Sequence, residues 1–548
     1  MNGLLYDNLT VAAKQRPDAE AFRCGRQTIT FSELDAASSR FAAVLIEQGI
    51  QQGELIGLRS SASIDAAIAV YGILKAGAVY VPIDPFLPDE RIATTLNEYK
   101  IRCLVAPDAK LKTLLILENR VPALSTIIGS PASPQLSLQC IPWAAIADQQ
   151  PCESIRVNSD SPAYVISTSG STGEPKGIVH THDSGQSYAE LTVETYNLSE
   201  HDRIASLSPL HFDMATFGFF AGVLAQATVV LVPPAYTRLP ASLSSLIEAE
   251  RITVWYSVPF ALIQVLERGV LDQRDCSTLR WVVFAGEVFP QQLLLRLRRQ
   301  WPHVAFSNAY GPAETNVCTV FNMPPRNTDH STEVEEQTTC PIGQAWGNMQ
   351  TLILDDMGEV AHFGGSGELL VSGPTMMQKY FCGTDSDPDV FFFQGSTRFY
   401  KTGDFVQQMA SGDLIYLGRK DRQVKVRGHR IELEAIESEL GAHRAIEECA
   451  VVCLAASEAN ELYAIVTISI THDVSPQEIL NWLKNRLPDY AIPTRLHIAS
   501  QMQRTSSGKL DRRAIERELL SEFHLNQPQR SSEWLTQETL LELSPDVR

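Results

Sequence analysis

From Thr28 onward the chain repeats one pattern: a short apolar run, a turn, then a longer amphipathic stretch. Thr28–Thr30 closes a short strand, and Ser32 reads as an N-cap with Asp35 three residues on. The helix that follows sets Leu34, Ala37, Phe41, Val44, Leu45 and Gln48 on one face and stops at Gly49. Leu55–Leu58 reads as a strand, Ser63–Ala76 as an apolar helix and Val79–Ile83 as the next strand. Further strands are expected at Ile204–Ser208, Thr228–Val232, Thr253–Ser257 and Leu279–Phe284, with helices at Ser242–Glu250 and Pro259–Glu267 between them. Apolar strands alternating with amphipathic helices predict an α/β fold with largely parallel sheets.

Near residue 340 the pattern changes. Gln350–Leu354, Gly367–Ser372 and Leu414–Leu417 are β-like pieces separated by Gly/Asp turns, so a β-rich subdomain is expected over about 340–419. Gly418–Arg422 is charged, lacks apolar anchors and suits a linker. Beyond it, Gln423–Val426, Glu447–Leu454 and Leu462–Ile468 (strands) with Leu433–Ala442 and Pro476–Arg486 (helices) make a small α+β domain. The expected organisation is an N-terminal domain over 1–419, a C-terminal domain over 423–520, and a loosely packed polar tail over 521–548.

The stretch Tyr164–Gly177 carries the first chemical signal. An apolar strand turns abruptly into Ser167, Thr168, Ser169, Gly170, Ser171, Thr172, Gly173 and, after Glu-Pro, Lys176. Glycines admit close backbone approach, successive N–H groups form an anion-binding concavity, hydroxyls add donors, and the lysine supplies a point charge for phosphate. The spacing is not that of a Walker A loop. Taken alone, glycine and serine here fit a surface loop as well as a phosphate cradle.

Composition narrows the partners. The chain of 548 residues, 44% hydrophobic and 20% charged, has room for about two to four domains. Its formal net charge of −19 disfavours nucleic acid. The ten cysteines are scattered without a Cys-x-x-Cys pair, which points to free thiols rather than zinc or disulfides. Met1–Arg16 has no basic segment followed by an apolar run, and Phe217–Pro234 is broken by Gly218, Gly222, Gln226 and Thr228. No signal peptide or membrane span is expected, a buried helix followed by a strand explains Phe217–Pro234, and the cytoplasm is the expected location.

Four later stretches join the loop. Ala309-Tyr310-Gly311-Pro312-Ala313-Glu314-Thr315 offers an aromatic face on which a base could stack and a carboxylate for Mg²⁺. Tyr400-Lys401-Thr402-Gly403-Asp404 places a carboxylate after a turn, which suits a sugar diol. Arg427–Glu432 follows the linker, and Ser507-Gly508-Lys509 presents a lysine on a turn. Each alone reads equally as an ordinary turn or a solvated charge; their joint occurrence in this order does not. With Thr30–Leu34, Leu74–Asp84, Phe212-Asp213, Gly367–Leu369 and Leu487–Tyr490, they make the chain resemble an adenylation domain of the nonribosomal peptide synthetase type over roughly residues 5–520. That family sits in the adenylate-forming superfamily with acyl-CoA synthetases and firefly-type luciferases.

The resemblance implies two steps: a carboxylate attacks the α-phosphate of Mg·ATP to give an acyl adenylate and pyrophosphate, then a thiol takes the acyl group. It implies Lys509 as the catalytic lysine, Thr168–Gly173 and Lys176 on the phosphates, and Glu314 on the metal. Gly286, Asn308, Tyr310, Asp404 and Arg419 would hold adenine and ribose, and Asp421, within 420–422, would be the hinge about which a mobile C-terminal domain rotates. Three positions depart from the pattern: Ala313 for the usual Thr, Ser507 for Asn and Lys401 for Arg.

By the same resemblance Asp213 would pair with the α-amino group of an amino acid, and Met214, Phe217, Tyr256, Val283, Ala285, Ala309, Val317 and Cys318 would line the side-chain pocket. That set carries no charge, so a neutral, mostly apolar amino acid is expected, because a charged side chain would be desolvated without a partner. Tyr256, Ala285, Val317 and Cys318 together resemble free-standing prolyl-activating ligases, which makes proline the first expectation. With no carrier domain after residue 520, transfer is expected to a phosphopantetheine thiol on a separate carrier protein. Arg495, Arg504, Arg512, Arg513 and Arg517 are the candidate docking face, against a plain solvated surface. The alternatives are an acyl-CoA or aryl-acid ligase of the same superfamily, which Asp213 opposes, and a non-catalytic regulatory binding member.

Overall fold

The computed structural model describes residues 3–107, 109–169, 175–237, 239–326, 339–355, 357–381, 390–419, 422–455, 459–469, 474–504, 510–512, 514–517 and 519. Two units emerge: Met1–Pro85, Ile92–Thr168 and Lys176–Asp421 form the larger, while Phe86–Arg91, Ser169–Pro175 and Arg422–Arg548 form the smaller. The expected polar tail lies outside the described residues.

Two large sheets dominate the larger unit. The nine-stranded sheet runs in the order Gln344–Ala345, Thr319–Met323, Ala305–Tyr310, Trp281–Phe284, Val254–Ser257, Arg203–Ser206, Thr228–Leu231, Glu20–Cys24 and Gln27–Thr30. Its centre is parallel, from Glu20–Cys24 to Ala305–Tyr310. Both edges are antiparallel; Gln27–Thr30 returns on Glu20–Cys24 through a two-residue turn that leaves no room for a crossover helix. The eight-stranded sheet is likewise parallel through Pro162–Ser169, Val79–Ile83, Leu55–Arg59, Cys103–Val105, Thr126–Gly129 and Gln139–Pro142. Pro175–Thr181 and Lys379–Tyr380 extend it, and those two pair antiparallel. A third, antiparallel sheet joins Gln350–Leu354, Ser366–Ser372, Thr397–Gln408, Phe391–Gln394 and Leu414–Arg419, where the β-rich subdomain was expected.

Three expectations are adjusted. The first long helix spans Phe31–Glu47, and its cap is Thr30, not Ser32. Thr30 Oγ1 accepts from the Glu33 N–H at 3.2 Å while Glu33 Oε2 accepts from the Thr30 N–H at 2.9 Å, a reciprocal capping box that outcompetes the Ser32/Asp35 pair. Phe217–Pro234 is a helix followed by a strand, but Phe217–Gly222 makes a π turn. Gly222 and Gly218 permit it to lie on the sheet: a Cβ at Gly222 would sit 2.7 Å from Val229, and one at Gly218 3.0 Å from the same side chain. Gly418 and Arg419 are not linker. They complete the strand Leu414–Arg419, with Arg419 in register with Asp404.

Helix Phe31–Glu47 packs on helix Ile64–Lys75, where a Cβ at Gly72 would come within 2.6 Å of the Phe41 ring. Lys75 ends the second helix fully buried, its ammonium held by Asp35 Oδ1 at 2.8 Å, the Asp35 carbonyl at 2.7 Å and Ser39 Oγ at 3.0 Å. A buried ammonium without such partners would be prohibitively costly.

In the smaller unit, strands Ile446–Ala455, Asn460–Ile468 and Arg495–Ile498 form a sheet, and Gln423–Val426 pairs with His429–Glu432. Helices Leu433–Gly441 and Pro476–Lys484 contribute Ile436, Leu440, Leu480 and Leu483 to a core shared with Val451, Leu462 and Ala464. Glu437 is the polar node of this unit. It takes Arg422 in two bonds of 2.9 and 2.8 Å, Arg512 at 2.9 Å and the Val451 N–H at 2.8 Å. Burial pushes its pKa up, but the hydrogen bonds from Arg422, Val451 and Arg512 outweigh this and hold the carboxyl below its ordinary range. A carboxyl so depressed contributes stability above its unfolded pKa and loses it as pH falls through the folded value. Glu437→Gln is therefore expected to destabilise the chain by about 1–3 kcal/mol at neutral pH. The gap to the unsubstituted protein should close as pH falls below about 4. Urea unfolding at stepped pH measures this, and parallel pH profiles for the two proteins would refute it.

Candidate active site

Three neighbouring parallel strands, Val254–Ser257, Trp281–Phe284 and Ala305–Tyr310, end side by side. Their carboxyl ends present Tyr256, Val283, Ala285, Ala309 and Tyr310 from adjacent positions, with Gly286 just beyond at φ +94°. The chain then turns at Gly311, where a Cβ would lie 1.9 Å from the Asn316 carbonyl oxygen, so only glycine fits. Asn316, at φ +55°, closes the turn, and the Cys318 N–H returns to the Tyr310 carbonyl at 2.8 Å. That return sets Val317 and Cys318 beside the same cluster.

The residues expected to line a pocket fall in the same hydrophobic core. Phe217, Tyr256, Val283, Ala285, Ala309, Val317 and Cys318 are all buried in one apolar cluster, and half-buried Met214 packs against it. The Phe217 and Tyr256 rings lie 4.9 Å apart, and the Cys318 thiol donates to the Tyr310 carbonyl at 3.4 Å. Asp213 is half-buried at the start of the helical turn, and its Oδ1 accepts from the Met214 N–H at 2.8 Å. Its charge adds to burial in raising the pKa of Tyr164, Tyr188 and Tyr256, so the carboxylate faces a buried tyrosine cluster.

A second cluster joins Tyr310, Asp404 and Arg419. The Tyr310 hydroxyl donates to Asp404 Oδ2, and Arg419 donates to Asp404 Oδ1 at 2.8 Å and to the Thr402 carbonyl at 3.0 Å. Asn308 is buried on the same strand as Tyr310, but its amide N–H is engaged with the Pro341 carbonyl at 2.7 Å. Lys401 has a side chain in the third sheet, on the strand that also carries Asp404.

Glu314 is 1% exposed and accepts from the Tyr380 hydroxyl at 2.7 Å. Lys176 opens the strand Pro175–Thr181 with an exposed side chain, its ammonium 5.9 Å from the Tyr380 ring centre. Thr168 and Ser169 end the preceding strand, Pro162–Ser169. Gly170, Ser171, Thr172, Gly173, Asp421 and Lys509 lie outside the described residues. Of the candidate docking arginines, Arg504 pairs with Glu448 and Arg512 with Glu437, which neutralises much of the charge they would offer; Arg513 is outside the described residues.

Sequence reasoning missed two side chains here. Tyr380 is one. His180 is the other: it is fully buried, its ring stacked on Tyr164 at 4.9 Å, with Nε2 2.8 Å from the Ala313 carbonyl and Nδ1 3.3 Å from Ser184 Oγ. Burial holds its pKa down to about 4, so the ring is neutral near pH 7 and donates from Nε2 to the carbonyl beside Glu314. Neither residue sits in a motif, and no local pattern could have found them.

The chain is similar to known proteins in both sequence and fold. Residues 9–381 match the AMP-binding enzyme family, and residues 435–509 match the AMP-binding enzyme C-terminal domain. The chain is 30% identical over 520 residues to an L-proline--[L-prolyl-carrier protein] ligase of Pseudomonas fluorescens, covering 94% of this chain and 99% of that one. It is 30% identical over 502 residues to tyrocidine synthase 3 of Brevibacillus parabrevis, covering 91% of this chain and 7% of that much longer protein. In fold it resembles the Vibrio cholerae adenylation domain AlmE, solved with glycyl-adenosine-5'-phosphate, with a TM-score of 0.81, 24% identity, and coverage of 94% of this chain and 98% of the other. No helix among the described residues is long and apolar enough to cross a membrane. Buried apolar residues at the ends of parallel strands, a Tyr–Asp–Arg cluster and these matches lead to one assignment: the chain belongs to the AMP-binding enzyme family, as an adenylation domain of the adenylate-forming superfamily.

Proposed function

We infer that this chain activates a neutral amino acid, first of all proline, as its aminoacyl adenylate. It then passes the acyl group to the phosphopantetheine thiol of a separate carrier protein. What supports the reading is Asp213 close to buried Tyr256, among expected pocket residues that carry no other charge: a carboxylate there would answer the ammonium of an amino acid, a group that a plain fatty or aryl acid lacks. The L-proline--[L-prolyl-carrier protein] ligase relative, matched over nearly its full length, supports both proline as substrate and a carrier protein as acceptor.

In the first step a substrate carboxylate oxygen attacks the α-phosphorus, an O–P bond forms, and the bond to pyrophosphate breaks. Charge shifts onto the departing phosphates, which fixed cations stabilise. Lys176 and the Thr168–Gly173 loop take the leaving pyrophosphate, and Lys509 takes the α-phosphate side. Asp404, oriented by Arg419 and Tyr310, accepts the ribose hydroxyls. Among the described residues no three His, Cys, Asp or Glu side chains cluster. A divalent cation at Glu314 would therefore draw most of its ligands from phosphate and water, which fits Mg²⁺, an ion that usually binds through one or two carboxylates plus substrate phosphates. When bound, it would neutralise phosphate charge. In the second step the thiol sulfur attacks the acyl carbon and AMP leaves.

Two outcomes test this. In amino-acid-dependent pyrophosphate exchange, neutral apolar amino acids should turn over fastest with proline first, and Asp213→Ala should lower kcat/KM by about 2–5 kcal/mol of transition-state binding. Highest turnover with an acidic or basic amino acid would refute the pocket assignment. Lys176→Ala should weaken ATP use about tenfold to a hundredfold, the loss of a hydrogen bond to a charged group. It should spare thiol transfer from preformed aminoacyl adenylate; equal damage to both half-reactions would refute that division of labour.

A further inference from the structure

Tyr380 touches both a phosphate-side lysine and the candidate metal carboxylate. It lies on the short strand Lys379–Tyr380, opposite Ile178 of the strand Pro175–Thr181 that Lys176 opens. Arg398 fixes the approach to it by donating to the Gln378 carbonyl at 3.0 Å and the Met377 carbonyl at 3.1 Å. The Tyr380 hydroxyl meets Glu314 Oε1 at 2.7 Å, the Tyr400 hydroxyl lies 3.4 Å away, and the ring centre is 5.9 Å from the Lys176 ammonium.

The backbone on either side of Glu314 is already held. His180 bonds the Ala313 carbonyl at 2.8 Å, the Met377 N–H bonds the Glu314 carbonyl at 2.7 Å, and Thr375 Oγ1 bonds the Thr315 carbonyl at 2.7 Å. These contacts set where the side chain starts, not where its carboxylate points. A hydrogen bond at Oε1 sets the direction, and a carboxylate offers about four lone-pair sites, more than a single phenol bond occupies.

We propose that Tyr380 is a positioning residue whose hydroxyl fixes the Glu314 carboxylate in the orientation that receives the divalent cation of the nucleotide complex. This rests on the nucleotide-activating function proposed above. A purely packing role in the small apolar cluster with Ile178, Met377 and Phe391 would be met equally by phenylalanine. Tyr380→Phe keeps the ring and its contact with Lys176 and removes the hydroxyl's bond to Glu314 together with its longer contact to Tyr400.

The test uses the full chain as wild type, Tyr380→Phe, Glu314→Gln and the double variant. Mn²⁺ binding in the presence of a non-hydrolysable ATP analogue is read from the electron paramagnetic resonance signal of free Mn²⁺, alongside pyrophosphate exchange with Mg²⁺ varied. Tyr380→Phe should weaken Mn²⁺ binding about tenfold, as for loss of a hydrogen bond to a charged acceptor. The KM for amino acid should stay within about twofold, because uniform substrate binding is untouched. Adding Tyr380→Phe to Glu314→Gln should cost nothing further, since the phenol acts through the carboxylate. Unchanged Mn²⁺ binding in Tyr380→Phe, full additivity in the double variant, or an equal rise in the amino-acid KM would each overturn the proposal. Wild-type protein that binds no Mn²⁺–nucleotide at all would instead overturn the parent reading of Glu314, and this inference with it.

Discussion

Parallel pairing is the constraint from which the active site follows. Strands that all point one way end on one edge, and there the backbone stops pairing and side chains converge. Tyr256, Val283 and Ser307 are consecutive register partners across three strands, so the residues just beyond them necessarily meet. Ligand sites in open α/β sheets lie outside the carboxyl ends of strands for this reason. The antiparallel return at Thr319–Met323 then adds a wall from the far side, with Val320 opposite Ala309 and Thr319 opposite Tyr310.

The second large sheet reaches the site through stacked rings. Tyr80 and Tyr164 lie on adjacent parallel strands with ring centres 5.5 Å apart, and His180 continues the stack on the other side of Tyr164. The column ends in polar contacts: His180 on the Ala313 carbonyl and Asn316 Nδ2 on the Tyr164 hydroxyl at 3.3 Å. Both bonds land on the turn between Tyr310 and Val317. One sheet thus supplies the turn and the other holds it, with a neutral imidazole whose burial removes any charge that would compete with Glu314.

Legibility in the sequence followed the range of the interactions. The strand Val79–Ile83 was readable because apolar runs and turn residues are local signals, whereas the expected pocket residues rested on the family resemblance and not on any local pattern. The cap at Thr30 was misplaced by two residues because two acidic side chains, Glu33 and Asp35, offered competing boxes and only the three-dimensional bonds choose between them. The charged run at Gly418–Arg422 concealed a strand end, since Arg419 is anchored by Asp404, fifteen positions earlier in the chain. His180 and Tyr380 were invisible for the same reason on a longer scale. Their partners lie 133 and 66 positions away, and nothing near either residue marks the contact.

The walls of the proposed pocket differ in what holds them. Tyr256 is tied to a buried network: Tyr188 meets its hydroxyl, and Tyr196, another neighbour, bonds Ser307 Oγ at 3.1 Å, which in turn bonds Asn322 at 2.7 Å. Ala285 and Ala309, at the ends of the next two strands, carry a single methyl group each. A lineage drifting toward a different substrate thus has one rigid wall and one yielding wall. Changes at Tyr256 must be bought with several compensating polar substitutions, whereas changes at the two alanines alter only the volume on offer. The uneven wiring makes some substrate choices far more accessible to evolution than others.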